Sequence, residues 1–232
     1  MTQAWPLLEV ADRRFSVDMV RDACAHLPAP GRRMYPPVHE PKPAATLVPV
    51  VDIDGEAALV LTKRPTTMIH HRGDWVFPGG RFDARVDSSS AAAALREVHE
   101  ELGVSPSELD VIGQLTTHGP IATGYVIDVF VGVIGDISSI VPDPREVAEI
   151  TVVPISALLA EGVHSRSHVM PVHDTGPTVL GTGVPEPAQS VGDEAEPLHL
   201  FLIRDDEWLW GTQGSIAYEL LDHLVRHQAI RR

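Results

Sequence analysis

The sequence predicts an α/β (α+β) fold, in which a mixed β-sheet is sandwiched between helices. Two observations support this prediction. Short apolar, β-prone segments recur along the chain, and segments with helical spacing of apolar residues lie between them. A length of 232 residues suits one domain with extensions, or at most two small domains. The hydrophobic fraction of 44% is sufficient to build a core.

The N-terminal region is predicted to form a helix followed by an extended arm. Residues 15–27 place their apolar side chains at helical spacing, and prolines then end the pattern. Residues 28–43 are rich in Pro and Arg, which favours an extended segment. We therefore expect residues 1–43 to be an N-terminal helix and arm, and residues 44–232 to form the main domain.

Strands and helices alternate through the rest of the chain. The predicted strands are residues 45–53, 57–62, 74–78, 109–116, 125–134, 147–153 and 198–204. Asp54-Gly55 separates the first two, and such a pair between two strands is typical of a hairpin. The predicted helices are residues 88–102, 154–160 and 215–226. Between the last predicted strands, residues 162–197 are rich in Gly, Pro, Ser and His and are predicted to be an irregular insertion.

The insertion contains three loosely spaced histidines: His164, His168 and His173. They are interpreted as surface or loop residues, because a zinc site needs three or four well-placed ligands.

Charge and cysteine content exclude several classes of protein. The chain has 18 Lys and Arg against 32 Asp and Glu, a formal charge of −14, which argues against binding a nucleic-acid polymer. Its single cysteine, Cys24, excludes a disulfide framework within the chain and suits a reducing cytoplasm. The N-terminus lacks a signal-peptide pattern, and the apolar stretches are too short to span a bilayer. We therefore expect a cytoplasmic protein that does not interact with membranes.

The predicted helix at 88–102 has an apolar face and a separate acidic face. Asp87 and the serines at 88–90 offer N-cap oxygens, and Gly103 stands where a left-handed C-terminal residue is expected. The apolar residues at positions i, i+3 and i+7 face the core; they are Leu95, Val98 and Leu102. The acidic residues at positions i, i+3 and i+4 share another face; they are Glu97, Glu100 and Glu101. Because like charges at this spacing repel, a bound cation would stabilise the cluster.

A divalent cation such as Mg²⁺ is one explanation of this acidic face, since it takes oxygen ligands and often shares them with substrate phosphates. Arg96 lies one turn before Glu100 and could orient a carboxylate. Gly79-Gly80 upstream would let the backbone approach a ligand closely and offer a carbonyl to a metal. The alternative is an ordinary solvated acidic helix face.

Residues 96–104, R-E-V-H-E-E-L-G-V, resemble the second half of the Nudix box, R-E-U-x-E-E-x-G-U, in which U is aliphatic. The upstream half departs from the family pattern. Ser88 stands where the pattern has a glutamate eight residues before the arginine, and Asp87 or Asp83 is the candidate substitute. The spacing from Gly80 to Arg96 is also two positions longer than in the common pattern.

Other segments resemble the coenzyme A diphosphatase branch of the Nudix family. They are L-T-x-R at 61–64, F-P-G-G at 77–80, A-L-R-E at 94–97, E-V at 146–147 and L-W-G-T at 209–212. Two positions depart from the branch pattern, because Pro65 replaces a small residue and Ile69 replaces an arginine. The resemblance covers about residues 45–225, and the missing arginine leaves substrates other than coenzyme A open.

The resemblance implies a Nudix fold with a catalytic loop–helix–loop and hydrolysis of the P–O–P linkage of a nucleoside diphosphate derivative, using Mg²⁺ or Mn²⁺. It implies metal binding by Glu97, Glu100, Glu101 and the Gly79 carbonyl. It implies catalytic roles for Glu97, Glu146 and Arg96, with Glu97 and Glu146 both candidates for the general base. Substrate contacts are implied for Arg64, Gly79 and Gly80. It also suggests a homodimer.

Two alternatives remain open. The substrate could be coenzyme A or acyl-coenzyme A, or instead ADP-ribose, NADH or a nucleotide sugar. The chain could also be a non-catalytic regulatory module that binds a nucleotide, although the intact glutamates argue against this.

Overall fold

The computed structural model describes residues 14–33, 40–67, 72–119, 124–167 and 198–231. The helices in these ranges are α1 (Val17–Cys24), α2 (Ser90–Leu102), α3 (Ile155–Leu158) and α4 (Gly211–Ile230). The strands are β1 (Arg32–Arg33), β2 (Lys42–Ile53), β3 (Glu56–Lys63), β4 (Trp75–Val76), β5 (Gly79–Arg81), β6 (Leu109–Gln114), β7 (Thr117–His118), β8 (Tyr125–Ile134), β9 (Glu149–Pro154), β10 (His164–Ser167), β11 (Leu198–Arg204) and β12 (Glu207–Leu209). Single-turn 3₁₀ helices occupy Pro106–Glu108 and Ile137–Ser139.

The central sheet is mixed, as the sequence predicts. Its main path runs β1-β7-β8-β2-β3-β4, while β5 also pairs with β2, β6 with β8, and β9 with β3. The pairs β2–β8 and β1–β7 are parallel, and the other pairs are antiparallel. A separate antiparallel sheet contains β10, β11 and β12. β2 therefore lies in the middle of the sheet, because it pairs with β3, β5 and β8.

Helices cover both faces of the central sheet, which confirms the predicted sandwich. On β3, Leu59 and Leu61 belong to the hydrophobic cluster that includes α1 and α4. The alternating neighbours Ala58 and Val60 belong to the cluster that includes α2. This period of two is what a strand buried on both faces requires. The helix with the acidic face therefore lies on the opposite side of the sheet from α1 and α4.

Two local predictions are confirmed at their turns and caps. β2 and β3 form the predicted antiparallel hairpin, with Asp54 and Gly55 both at positive φ, as a tight turn between twisted strands requires. α2 begins after Ser89, whose side chain accepts a hydrogen bond from the Ala92 amide. It ends at Gly103, which has φ +72°.

Several boundaries differ from the sequence prediction. The helix predicted at 15–27 ends at Cys24, and the helix predicted at 215–226 extends over Gly211–Ile230. Gly79-Gly80, predicted as a loop, begins a short strand, because β5 pairs with β2. The short strands β1, β7, β10 and β12 were not predicted, since two to four residues give too little periodicity to recognise.

The predicted irregular insertion at 162–197 lies mostly outside the described residues. Its first part contains β10, where His164 is half-buried against His199, Phe201 and Tyr218. Burial lowers the pKa of His164 to about 4. His164 therefore lies in a strand and not in an irregular loop, and His168 and His173 fall outside the described residues.

No helix within the described ranges is both long enough and apolar enough to cross a membrane.

Candidate active site

The three glutamates of α2 differ sharply in burial, although they share one region of the helix. Glu101 is 5% exposed, whereas Glu100 is exposed at the surface. Glu97 is intermediate, with a side chain 13% exposed. The acidic face is thus not an ordinary solvated surface, since two of its three carboxylates are largely removed from water.

Glu101 is a buried carboxylate with few partners. Burial raises its pKa to about 8, because a carboxylate in a poorly solvated position favours its neutral form. The Gly79 amide donates a long hydrogen bond of 3.4 Å to Oε1, and the positive charge of Arg64 also opposes the increase in pKa. The nearby charges of Glu97 and Glu146 raise the pKa further. A cation at this point would stabilise the ionised form.

Glu97 lies directly against Gly80 of β5. A Cβ atom built on Gly80 would overlap the Glu97 carboxylate, so any other residue there would displace that side chain from its present position. Burial raises the pKa of Glu97, and a hydrogen bond of 2.7 Å from Arg96 Nη1 to Oε1 acts in the opposite direction. The Gly79-Gly80 segment and the carboxylates of α2 are therefore in direct contact.

Arg96 connects four groups around the site. Its Nε and Nη2 donate to the two carboxylate oxygens of Asp87 at 2.9 and 3.1 Å. Its Nη1 donates to Glu97 and, at 2.8 Å, to Glu100. A further hydrogen bond from Nη2 reaches the Arg81 carbonyl. This guanidinium therefore fixes the two acidic side chains of α2 relative to β5.

The structure decides between the two candidate substitutes for the missing glutamate at Ser88. Asp87 is 6% exposed and forms the bidentate pair with Arg96, which holds the pKa of Asp87 below its usual range. Asp83 instead pairs with the exposed Arg85 at the surface. Asp87 is thus the partner of Arg96.

Glu146 lies close to the buried carboxylates but on a different element. It is exposed, in the turn at 143–146 that precedes β9. Its negative charge contributes to the raised pKa values of both Glu97 and Glu101. The Asp143 amide donates to the Glu101 carbonyl at 2.9 Å, which attaches this turn to the C-terminal end of α2.

Two polar side chains that the sequence analysis missed hold the F-P-G-G segment in place. Thr46 of β2 donates from Oγ1 to the Pro78 carbonyl at 2.7 Å. Gln213 of α4 accepts a hydrogen bond of 3.0 Å from the Phe77 amide. Gln213 directly follows the L-W-G-T segment, which was the only available signal for its role.

The donor set suits a hard divalent cation. Glu97, Glu100 and Glu101 offer carboxylate oxygens, the ligands that Mg²⁺ and Mn²⁺ prefer. Glu101 in particular has a buried carboxylate, and within the described ranges its hydrogen bond comes from the Gly79 amide and is long, at 3.4 Å. Burial of a charge without a strong partner is unfavourable, so a bound cation would offset the free energy lost when the Glu101 carboxylate is removed from water.

Alanine substitutions at Gly79 and Gly80 are expected to have different effects. In Gly80→Ala, the new methyl group meets the flexible end of Glu97, so we expect the fold to persist and hydrolysis to decrease by tenfold or more. In Gly79→Ala, it meets the Ala45 carbonyl oxygen at 2.6 Å and Thr46 Cα at 2.7 Å, so we expect loss of stability. Thermal unfolding and turnover of both variants check this, and wild-type turnover in Gly80→Ala would contradict it.

Comparisons with known proteins agree with this geometry. The family model described as NUDIX domain matches residues 41–172, more than half of the chain. A relative from Cronobacter sakazakii, named Uncharacterized Nudix hydrolase NudL, is 39% identical over 133 residues, covering 57% of this chain and 66% of the relative. A protein of the same name from Photorhabdus laumondii is 34% identical over 143 residues, covering 62% of this chain and 73% of the relative. The matched region thus spans about two thirds of the first relative's length.

One solved structure resembles the fold over most of the chain. It is described as a MutT/nudix family protein from Enterococcus faecalis and is 16% identical, with a TM-score of 0.51. The match covers 83% of this chain and 65% of that chain. At this level of identity the likeness supports the fold alone.

Proposed function

Because the chain belongs to the Nudix hydrolase family, we propose that it hydrolyses the P–O–P linkage of a nucleoside diphosphate derivative with the help of a divalent cation. The observation that carries this proposal is the contact between Gly80 and the poorly solvated carboxylate of Glu97, with the buried Glu101 one turn along α2. These groups form a region of negative charge that is fixed in place by Arg96 and Asp87.

Glu97 and Glu101 would be the main metal ligands, joined by Glu100 and the Gly79 carbonyl. When bound, Mg²⁺ or Mn²⁺ neutralises the charge that develops on the phosphates and lowers the pKa of a water molecule. The exposed position of Glu100 leaves it free to bind directly or to orient a ligand through Arg96. Arg96 acts as a positioning residue, because its hydrogen bonds go to carboxylates and a carbonyl of the site itself.

Glu97 and Glu146 are both candidates for the general base. We favour Glu146, because its side chain is exposed beside the two buried carboxylates and is not needed to hold the cation. It would take a proton from the attacking water as a new P–O bond forms and the bridging P–O bond breaks. Arg64, whose positive charge reaches Glu101, would contact a phosphate of the substrate, and the Gly79-Gly80 backbone would approach the same group.

Coenzyme A or acyl-coenzyme A is the first substrate to test. Three of the segments that resemble the coenzyme A diphosphatase branch, at 61–64, 77–80 and 209–212, are linked by hydrogen bonds that involve the neighbouring residues Asp74 and Gln213. The Arg64 amide donates to the Asp74 carbonyl, Trp210 Nε1 lies 3.4 Å from Asp74 Oδ1, and Gln213 holds Phe77. Ile69, where the branch has an arginine, lies outside the described residues. Because this chain lacks that arginine, ADP-ribose, NADH and nucleotide sugars are the competing substrates.

A substrate panel tests the proposal directly. The purified chain is incubated with coenzyme A, ADP-ribose, NADH and a nucleotide sugar, with Mg²⁺ or Mn²⁺, and the products are identified by mass. We expect two monophosphate products from at least one substrate, and 3′,5′-ADP with phosphopantetheine if coenzyme A is cleaved. The Glu101→Gln variant is the matched control, and the rate of product formation with this variant gives the background rate.

The competing function is a non-catalytic regulatory module that binds a nucleotide. Binding of a panel compound without product release in either metal would favour that function and contradict hydrolysis. A homodimer is a separate proposal, which the molecular mass in solution checks.

A further inference from the structure

A second cluster of metal-binding side chains lies on the opposite face of the sheet from α2. α1 and α4 pack in the same hydrophobic cluster there. Asp22 of α1 and His26, just beyond its end, are separated by four positions, and His227 lies near the end of α4. One potential ligand atom from each of these three residues lies within 4.8 Å of the others.

Hydrogen bonds already orient two of the three side chains. His227 Nε2 lies 2.9 Å from Asp22 Oδ2. His26 Nδ1 lies 2.7 Å from the Asp22 backbone carbonyl, an oxygen that can only accept, so Nδ1 carries the proton. The other ring nitrogen, Nε2, is then unprotonated in the neutral ring and can serve as a ligand. Such a bond from one ring nitrogen to a carbonyl is the arrangement that metal-binding histidines usually show.

The cluster is also accessible and close to the dimensions of a zinc site. The side chain of Asp22 is 35% exposed, that of His227 is 16% exposed, and His26 is exposed. In a tetrahedral zinc site with metal–ligand bonds of about 2.0–2.1 Å, ligand atoms lie roughly 3.4 Å apart. The ligand atoms lie within 4.8 Å of one another, so binding would require them to approach by up to about 1.4 Å, and the exposed His26 is the least confined of the three side chains.

We propose that Asp22, His26 and His227 bind one Zn²⁺ ion, which joins α1 to α4. Two imidazole nitrogens and one carboxylate oxygen suit zinc, whereas Mg²⁺ prefers oxygen ligands alone. Water would occupy the fourth position. The site stabilises the packing of the N-terminal helix against the last helix, and it is independent of the proposed hydrolysis because α2 lies on the other side of the sheet.

The competing explanation is a simple ion-pair cluster. Arg231 Nη1 is paired with Asp22 Oδ2, the same oxygen that faces His227. The two explanations differ in what removal of Arg231 does. If Asp22 is a zinc ligand, Arg231→Ala removes a competing cation and strengthens zinc binding. If the cluster only pairs charges, zinc does not bind at all.

The test measures zinc binding by the metal-free protein in excess Mg²⁺, which occupies the carboxylate site of α2. Zn²⁺ is titrated against a chromophoric chelator, and thermal unfolding is followed with and without Zn²⁺. We expect one ion per chain and a higher melting temperature with Zn²⁺. We expect His26→Ala and His227→Ala each to raise the zinc Kd by at least about tenfold, while Arg231→Ala lowers it.

His223→Ala is the matched control, because His223 Nε2 is hydrogen-bonded to the Ala23 carbonyl at 2.8 Å and is outside the three-residue cluster. Its zinc Kd should equal that of the wild type. Circular dichroism of the metal-free variants establishes that they are folded, which the exposure of His26 favours. Absence of zinc binding by the wild type, or wild-type affinity in His26→Ala and His227→Ala, would overturn the proposal. An unchanged or higher Kd in Arg231→Ala would remove Asp22 from the ligand set.

Discussion

Glu101→Gln is expected to reduce hydrolysis by at least about a hundredfold while leaving the fold intact. Mutation of a residue that only hydrogen-bonds to a metal ligand already lowers activity by about 10–100-fold, and loss of a ligand itself should lower it at least as much. The side chain is 5% exposed beside Gly79, and glutamine has nearly the same shape without the negative charge. Turnover at saturating Mg²⁺ measures the effect. Glu161→Gln removes an exposed carboxylate outside the site and is the control. Wild-type turnover in Glu101→Gln would contradict the assignment.

The same substitution predicts a pH-dependent change in stability when no metal is present. The folded-state pKa of Glu101, about 8, lies above the usual value of 4.5. The unfolded chain therefore loses this proton at lower pH than the folded chain, and the contribution of Glu101 to wild-type stability falls as the pH rises from about 4.5 to about 8. Glu101→Gln does not titrate, so above pH 8 it should be more stable than the metal-free wild type. Denaturant unfolding at pH 5 and pH 9 measures this difference, which added Mg²⁺ should reduce.

Asp87→Ala is expected to affect both stability and catalysis. Asp87 accepts two hydrogen bonds from Arg96, and hydrogen bonds to charged groups contribute about 1.5–3 kcal/mol each when buried. We therefore expect the free energy of unfolding to decrease by on the order of 3 kcal/mol, the lower end for two such bonds. We also expect hydrolysis to decrease by tenfold or more, because Arg96 would no longer hold Glu97 in a fixed position.

The control for this prediction is Asp83→Ala. Asp83 lies four residues earlier and pairs with Arg85 at the surface, so its removal should change stability and turnover much less. Asp87→Glu should partly restore the activity lost in Asp87→Ala, because it retains a carboxylate for Arg96. Equal effects of the Asp83 and Asp87 substitutions would show that Asp87 has no special role. A decrease in kcat without a change in KM is the expected signature of a positioning residue.

The sequence predicted those parts of the molecule in which a local pattern determines the structure. Asp54-Gly55 needs positive φ at both positions, and Gly103 needs a left-handed conformation, so the hairpin and the end of α2 were recognisable. The spacing of Glu97, Glu100 and Glu101 likewise follows from the helix alone. The contact of Glu101 with Gly79 and the pairing of β5 with β2 depend on residues distant in sequence.

The unequal burial of the three glutamates could not be predicted for the same reason. Helical spacing places Glu100 and Glu101 side by side, but only the position of α2 against β5 buries one and exposes the other. The choice of Asp87 over Asp83 also required tertiary structure, because both residues precede α2 at plausible distances. Thr46 and Gln213 carry no motif signal of their own, since their roles come from contacts to main-chain atoms.

The pairing of β5 with β2 holds the segment with Gly79 and Gly80 more firmly than the exposed turn with Glu146 is held. β5 cannot move without separating from the strand that also pairs with β3 and β8, so the wall that carries Gly79 and Gly80 is stiff. The turn with the exposed Glu146 is joined to the end of α2 by main-chain hydrogen bonds from Val141 and Asp143, and to β3 by the one from Ala148. If the proposed site is right, we therefore expect substrates of different size to be accommodated at the exposed Glu146 side chain rather than by movement of Gly79 and Gly80.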